Sequence, residues 1–483
     1  MKGTPANEDA LRSRIFSGSL LSMGATVSIH FIKFGINLAL TRLLHREAFG
    51  LMALVAVFLL GLELFSDLGI RASIIHSENG ERRRFLDTAY TIQVARGFFL
   101  YSLVWLFALP FSEFYNEPQL RELLPVAGLS AIFSGFLSTK FYEANRRLEM
   151  KRIMTIQVIA QLASSLSIIC FALVSPSVWA IVLGMLVHPF VRTLLSHRML
   201  EGERNRLDFE RESALELFRF GRWIFASTLL TFIVHYSDRL ILGRLMPIEM
   251  LGVYSLALLV TRAPLELLTQ VSNQVAFPLY SRAAQTSNFA RTFEETRQPL
   301  LRLGLFLFTL LMGLGPELAG LIFPAGYEDA GWMIQILGLN GVLILYEAYY
   351  RAANLAAGRA FILVVSALAK LIGMAALIPL GFRSFGIFGA ILGYALSEIL
   401  PYLVSAIDSR LRGIGDIRHD GTLIAASLLV AFAARQLAKA LEVRGVLLTI
   451  SLTASFIALL FIPALGPYAR ALLRRFKPKA EAI

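Results

Sequence analysis

A chain of 483 residues with 17% charged and 56% hydrophobic residues and a mean hydropathy of +0.64 is too poor in charge for a water-soluble domain, which carries roughly 25% charged residues. The net charge of +12 would suit a nucleic-acid binder. Here, however, the Lys and Arg stand between apolar runs, as they do in the cytoplasmic loops of a membrane protein, so no nucleic acid is expected. The single cysteine, Cys170, lies in an apolar run and excludes an internal disulfide framework.

Residues 1–14 are polar, and the apolar run after them is too long for a signal peptide and lacks a small-residue cleavage site, so none is expected to be removed. Apolar runs of 18 residues or more can cross a hydrocarbon core of about 30 Å. They predict an all-α polytopic membrane protein with about fourteen spans, near 17–40, 48–70, 88–110, 122–142, 153–174, 178–197, 220–242, 250–274, 298–320, 331–350, 360–380, 385–407, 421–440 and 445–466. With the N-terminus inside, about 31 Lys and Arg fall on the inner side and about 8 outside. That bias puts both termini in the cytoplasm.

The outer loops are short and carry no domain. Neither a P-loop, a zinc-ligand pattern nor a nucleophile elbow stands out. No enzyme, cofactor or metal is therefore expected, and the working parts must lie within the spans.

The chain repeats itself. NLALTRLLHREAFGLMALV (37–55) and RLILGRLMPIEMLGVYSLA (239–257) share 7 of 19 residues without a gap. ARGFFLYSLVWLFALP (95–110) aligns with LRLGLFLFTLLMGLGP (301–316), pairing Arg96 with Arg302 and Pro110 with Pro316. FYEANRRLEMK (141–151) meets YYRAANLAAGR (349–359), and IVLG (181–184) meets AILG (390–393), so the offset drifts only from 202 to 209. Such order indicates a duplicated six-helix unit. Six is even, so both copies share one orientation, as two parallel six-helix lobes about a pseudo-twofold axis along the membrane normal. The expected division is 1–210 and 211–412 for the lobes and 413–483 for an extra helix pair with a basic cytoplasmic tail.

ALTRLLHREAFGLMALVAVFLLGLELFSDLGIRASIIHSE resembles the opening of the bacterial polysaccharide transporters, the Wzx-type oligosaccharide flippases of the multidrug/oligosaccharidyl-lipid/polysaccharide (MOP) exporter superfamily, through Arg42, Glu47, Phe49, Gly50, Leu51 and Asp67-Leu68-Gly69. YSDRLILGRLMPIEMLGVYSLA is similar to the start of that family's second half, through Asp238, Arg239, Gly243, Glu249, Gly252 and Tyr254. One departure is His45-Arg46, where a proline often precedes the acid; the second copy keeps Pro247. The resemblance implies a transporter in the cytoplasmic membrane of a bacterium. It would flip a polyprenyl-diphosphate-linked oligosaccharide for polysaccharide or lipopolysaccharide biosynthesis by alternating access. Its implied partners are that substrate, membrane lipids, and a polymerase and other polysaccharide-assembly proteins. A lipid II flippase and a drug or cation antiporter of the same superfamily are the alternatives, and a membrane polymerase or ligase is a more distant one.

A diphosphate head calls for Arg or Lys, because charge-assisted bonds to phosphate are the strong ones. Charges inside spans are functional candidates by default. The substrate-binding candidates are Arg96, Arg302, Lys33, His235, Arg262 and Lys370. The ordinary alternatives are snorkelling to the headgroups for Lys33, Arg96 and Arg302, and an i,i+4 pair for Arg262 with Glu266. Asp238 and Arg239 are expected at headgroup level, and Tyr346, Tyr349 and Tyr350 in an interfacial belt.

Overall fold

The computed structural model describes residues 24–66, 69–272, 276–284, 288–441 and 454, apart from the side chains of Arg222, Trp223, Ala226, Ser227 and Leu441. Every regular element among them is a helix. In chain order these are α1 (Gly24–Leu40), α2 (Arg46–Phe65), α3 (Ile70–His76), α4 (Arg83–Tyr115), α5 (Leu120–Gly135), α6 (Lys140–Arg146), α7 (Met150–Val174), α8 (Val178–Met199) and α9 (Arg211–Leu245). They continue with α10 (Ile248–Val271), α11 (Phe277–Ala283), α12 (Phe289–Ile322), α13 (Asp329–Ala356), α14 (Ala360–Ser397), α15 (Ile399–Leu411) and α16 (Ile417–Leu441). Asp67, Leu68, residues 1–23 and, apart from residue 454, the last predicted span, 445–466, lie outside the described residues.

Among the described residues nine helical stretches are long and apolar enough to cross a membrane, or ten if α5 and α6, bent by 59°, make one span. That count takes 360–411 as a single stretch of 52 residues. Its backbone says otherwise. Phe385 (φ −137°) and Gly386 (φ 60°, ψ −142°) leave the helical region, and beyond them the chain turns back. A Cβ on Gly389 would lie 2.0 Å from the Gly381 carbonyl oxygen, and one on Gly393 would lie 2.1 Å from that of Leu377. A continuous helix of this length would extend about 78 Å and could not fold its glycines onto itself. Two antiparallel arms meet here, in line with the separate spans expected at 360–380 and 385–407.

The same joint occurs in the first copy. A Cβ on Gly184 would lie 2.8 Å from Ile168 Cα, and the repeat offset of 209 carries Gly184 to Gly393 and Ile168 to Leu377. Small residues let helix backbones approach closely in a membrane, where packing rather than water expulsion drives association. Gly393→Ala is therefore expected to destabilise the protein by about 1–3 kcal/mol through overpacking. Gly320→Ala, with nothing within 4 Å of its Cβ, should be neutral. Thermal unfolding in detergent checks both.

The duplication is visible in other local geometry. His45 and Pro247 take the same extended N-cap conformation (φ −71°, ψ 156° and φ −57°, ψ 149°). The missing proline therefore does not alter the first turn. Leu40, Leu44, Leu51 and Leu54 are buried, and so are their counterparts Leu242, Met246, Val253 and Leu256. α4 and α12 begin 206 residues apart and hold Pro110 and Pro316 at matching positions.

The chain divides into two compact units, Met1–Arg244 and Leu245–Ile483. Helix α9, which opens the second repeat, falls in the first: Phe232 packs edge-on against Phe65, and Thr228 Oγ1 donates to the Leu64 carbonyl at 3.2 Å. The chain between α8 and α9 is also tied to the first unit. Asn205 Oδ1 accepts from Ser138 Oγ at 2.7 Å, Arg206 N donates to Asp87 Oδ1 at 2.9 Å, and Glu210 N donates to Thr88 Oγ1 at 3.0 Å. The Ser213 hydroxyl, and then Arg82, hold the Glu210 carboxyl below the usual carboxylate range. In both units large apolar side chains point outward, among them Phe99, Trp105, Leu106 and Leu166 in the first and Phe361, Ile372 and Leu380 in the second. Helices this apolar with bare outer faces suit hydrocarbon, not water, as solvent.

Candidate functional site

The fourth predicted span is continuous in one copy and broken in the other. In the second unit α13 runs unbroken from Asp329 to Ala356. In the first unit the chain breaks between α5 and α6, where it reads SGFLST (134–139); at the repeat offset of 208 the second copy reads VLILYE (342–347). Gly135 and the serines offer little packing and weak helix propensity. A break frees backbone carbonyls, which inside a membrane must find partners. Gln93, on α4, supplies them. Its Nε2 lies 3.0 Å from the Gly135 carbonyl, 2.9 Å from that of Leu137 and 3.2 Å from that of Ser134. Tyr142 on α6 donates its hydroxyl to Gln93 Oε1 at 3.1 Å. Thr193 Oγ1 takes the Phe133 carbonyl at 2.8 Å, and His197 Nε2 lies 2.9 Å from that of Phe136.

Beside this break lies a cavity of about 230 Å³ whose walls all belong to the first unit. Its charged lining is Arg71, Arg96, Arg192 and Glu63, and Gln93, Ser130, Ser134 and Tyr142 add polar groups. Three guanidinium groups face one carboxylate. Arg96 anchors the end of a neighbouring helix: its Nε donates to Ser66 Oγ at 2.9 Å and its Nη2 to the Glu63 carbonyl at 2.6 Å. The last turn of α2 carries unpaired carbonyls and the negative end of its dipole, so a cation is favoured there. Arg192, on α8, lies over the Phe141 ring at 4.8 Å. Its Nε is buried with no hydrogen-bond partner among the described residues. A buried arginine on a helix that crosses a membrane is costly, and Glu63 in the same lining offsets part of that cost.

Of the six candidates chosen from sequence, Arg96 alone lines this cavity. Lys33 on α1 and His235 on α9 are exposed. Arg262, Arg302 and Lys370 belong to the second unit. Arg262 is half-buried on α10. Arg302 is half-buried on α12 and its Nε contacts Gln298 Oε1 at 3.4 Å. Lys370 is buried and forms an ion pair with buried Glu398. One expectation needs correction. Tyr346, Tyr349 and Tyr350 are fully buried in the second unit and form no interfacial belt; Tyr346 packs on Tyr402, and Tyr350 on Tyr402 and Phe293. Asp238 is fully buried. Arg71, Gln93, Tyr142 and Arg192 were absent from the predicted site. Arg192 stood inside a predicted span, and SGFLST marked the break, so both signals were in the sequence. Gln93 escaped a search confined to charged residues.

The family model described as polysaccharide biosynthesis protein matches residues 39–331, more than half of the chain. A lipopolysaccharide biosynthesis protein of Escherichia coli strain K12, WzxC, is 25% identical over 400 residues, covering 82% of this chain and 81% of that one. Among solved structures, the lipid II flippase MurJ in an inward closed conformation superposes with a TM-score of 0.72 at 12% identity, over 94% of this chain and 99% of that one. An inward-facing MATE family multidrug resistance transporter of the MOP superfamily gives 0.61 at 13% identity, over 82% and 95%. At such identities the structural likeness speaks for the fold, an all-helical transporter fold, and the sequence match gives the family: the chain belongs to the polysaccharide biosynthesis protein family.

Proposed function

We propose that this protein flips a polyprenyl-diphosphate-linked oligosaccharide from the inner to the outer leaflet of the bacterial cytoplasmic membrane, by alternating access between two six-helix lobes. The division is the one the repeat suggests, 1–210 and 211–412, with 413–483 appended, and both termini lie in the cytoplasm. The observation that carries the reading is a cationic cavity at a broken span, in a chain of a polysaccharide-synthesis family. Discontinuous helices mark substrate paths in transporters, and Arg96 and Arg302 occupy equivalent places in the duplication. Flipping breaks no bond, so the protein acts as a transporter and not as an enzyme, and a polymerase acts on its product. Lys33, His235, Arg262 and Lys370 are further contacts on the substrate's route.

Deletion of the gene is expected to abolish a surface or secreted polysaccharide while lipid-linked repeat units collect on the inner leaflet. Purified protein that elongates or transfers the glycan would overturn the reading. Reporter fusions at Asn116 and Arg206 should report outside and inside, and one side for both would overturn the topology.

A further inference from the structure

The break in the fourth span leaves two hydroxyl side chains, Ser138 and Thr139, fully buried. One side chain answers both, and it comes from the linker between the repeats. Asn205 Oδ1 accepts from Ser138 Oγ at 2.7 Å and from Thr139 N at 3.2 Å, and its Nδ2 donates to Thr139 Oγ1 at 2.5 Å. A primary amide carries an acceptor and two donors on one short stem, so a single Asn ties down the whole turn. The residues just before it build the cavity. Ser134, Gly135 and Leu137 line that space, and their carbonyls accept from Gln93 Nε2. Ser138 N donates at 3.1 Å to Ser196 Oγ, one turn beyond Arg192 on α8.

Asn205 is the first tie of a longer strap. Beyond it every second N–H of the linker donates to α4: Arg206 N to Asp87 Oδ1 at 2.9 Å, Asp208 N to Thr91 Oγ1 at 3.0 Å and Glu210 N to Thr88 Oγ1 at 3.0 Å. Thr91 Oγ1 returns a bond to the Asp208 carbonyl at 2.7 Å. The strap runs on into the first two turns of α9. There Glu216 accepts from Ser77 Oγ at 2.5 Å and from Asn79 Nδ2 at 3.0 Å, and Ala214 and Leu217 enter the core of Ile70, Ile74, Phe85 and Ala89. Undocking would break these bonds together and uncover two core residues. A ligand shifts an equilibrium only by its differential affinity for the two states, so ties this numerous favour a strap that stays in place. In the second copy the offsets of 206 and 209 turn Asp87, Thr88, Thr91 and Asn205 into Phe293, Glu294, Arg297 and Ile414, and its fourth span is unbroken. The Asn clip and the break occur together.

We infer that Asn205 is a positioning residue of the transport site: the linker between the repeats stays docked throughout the cycle and holds the turn 136–139 in the shape that walls the cavity. The inference rests on the flippase reading and adds a fixed part to it. The repeat ends at residue 210, but the first lobe carries the linker and α9 as far as Leu217 when it moves.

The test uses the full chain with its single cysteine removed by Cys170→Ala. Docking is read in lipid nanodiscs as tryptic cleavage at Arg204 or Arg206, and transport in liposomes as flipping of a fluorescent polyprenyl-diphosphate oligosaccharide. Asn205→Ala should be cut at these two sites about tenfold faster, with cleavage elsewhere unchanged, and should flip about tenfold more slowly, the scale of the lost hydrogen bonds. Ser138→Cys with Asn205→Cys should behave likewise as free thiols. Joining the two thiols with a two-carbon bis-methanethiosulfonate should restore both readings, and a thiol reductant should reverse the rescue. A bridged protein that no longer flips would overturn the inference, since the strap would then have to undock in each cycle. Wild-type cleavage and flipping in Asn205→Ala would overturn it as well. So would faster cleavage throughout the chain, which marks a purely structural role. A wild-type protein that flips nothing would remove the flippase reading instead, and cleavage at Arg204 and Arg206 would still decide the docking.

Discussion

Asp420→Ala is expected to destabilise the protein by about 3 kcal/mol, the lower end of the cost of breaking a buried ion pair, because Glu294 still pairs with the guanidinium. Arg297 on α12 and Asp420 on α16 are both 0% exposed. Two bonds join them, from Nη1 at 3.2 Å and from Nη2 at 2.9 Å, and the Tyr350 hydroxyl donates to the same carboxylate. The rings of Phe293 and Tyr350 flank the guanidinium at 4.8 and 5.3 Å. Removing the carboxylate leaves the buried guanidinium with Glu294, which accepts from its Nε at 3.0 Å, as its remaining counter-charge. Arg297→Met with Asp420→Leu removes both charges and should come close to wild type, since a matched apolar pair is often neutral or better. The cluster also fastens α16 to α12, and Glu317 with Arg435 makes a second ion pair between the same two helices. Asp420→Ala should therefore expose the 412–417 segment to protease before the rest of the chain unfolds. Thermal unfolding in detergent and limited proteolysis measure the two effects. A loss below about 1 kcal/mol, the scale of an exposed ion pair, would show that the pair is hydrated.

Arg96→Ala should reduce polysaccharide export about tenfold to a hundredfold at unchanged protein level, the range for removing one buried charge-assisted contact. The substitution also uncaps α2, so the measurement must separate the two losses. Arg96→Lys keeps a charge near the Ser66 hydroxyl and the Glu63 carbonyl but gives up the fork; it should restore stability more fully than export. Arg302→Ala should have a smaller effect, because Arg302 does not line the cavity that Arg96 lines. Full export from the Arg96→Ala, Arg302→Ala double variant, with normal insertion, would reduce both residues to interfacial anchors.

The parts legible in the sequence are those written in one-dimensional patterns. Apolar runs, inner-side Lys and Arg, and the duplication led to an all-helical membrane chain, and the repeat's Gly184 and Gly393 do the same work in both copies. The extra helix was legible as α16, but its attachment was not. Arg297 and Asp420 are 123 residues apart, and no spacing rule links them. The tyrosines show the same limit. Near a span's end, Tyr346, Tyr349 and Tyr350 satisfy the composition of an aromatic belt as well as that of a core, and only the packing partners decide. The site was half legible. A search for charge in spans finds Arg96, and Arg192 also stands in a span, near 178–197, with no pattern around it to set it apart. What singles Arg192 out is the break at 136–139, seen only by setting SGFLST against VLILYE and asking why one copy gave up its helix. Lys370 shows the converse: a charge in a span, apparent in the sequence, whose partner Glu398 sits on the same hairpin.

Translocation itself is measured by reconstitution. The purified protein is placed in liposomes that carry a fluorescent polyprenyl-diphosphate oligosaccharide, and a membrane-impermeant reductant reports how much of the lipid is in the outer leaflet. The protected half of the label should become accessible on a timescale of minutes with the wild-type protein, and much more slowly with Arg96→Ala. A protected fraction that stays constant in the presence of folded, correctly inserted wild-type protein would contradict it.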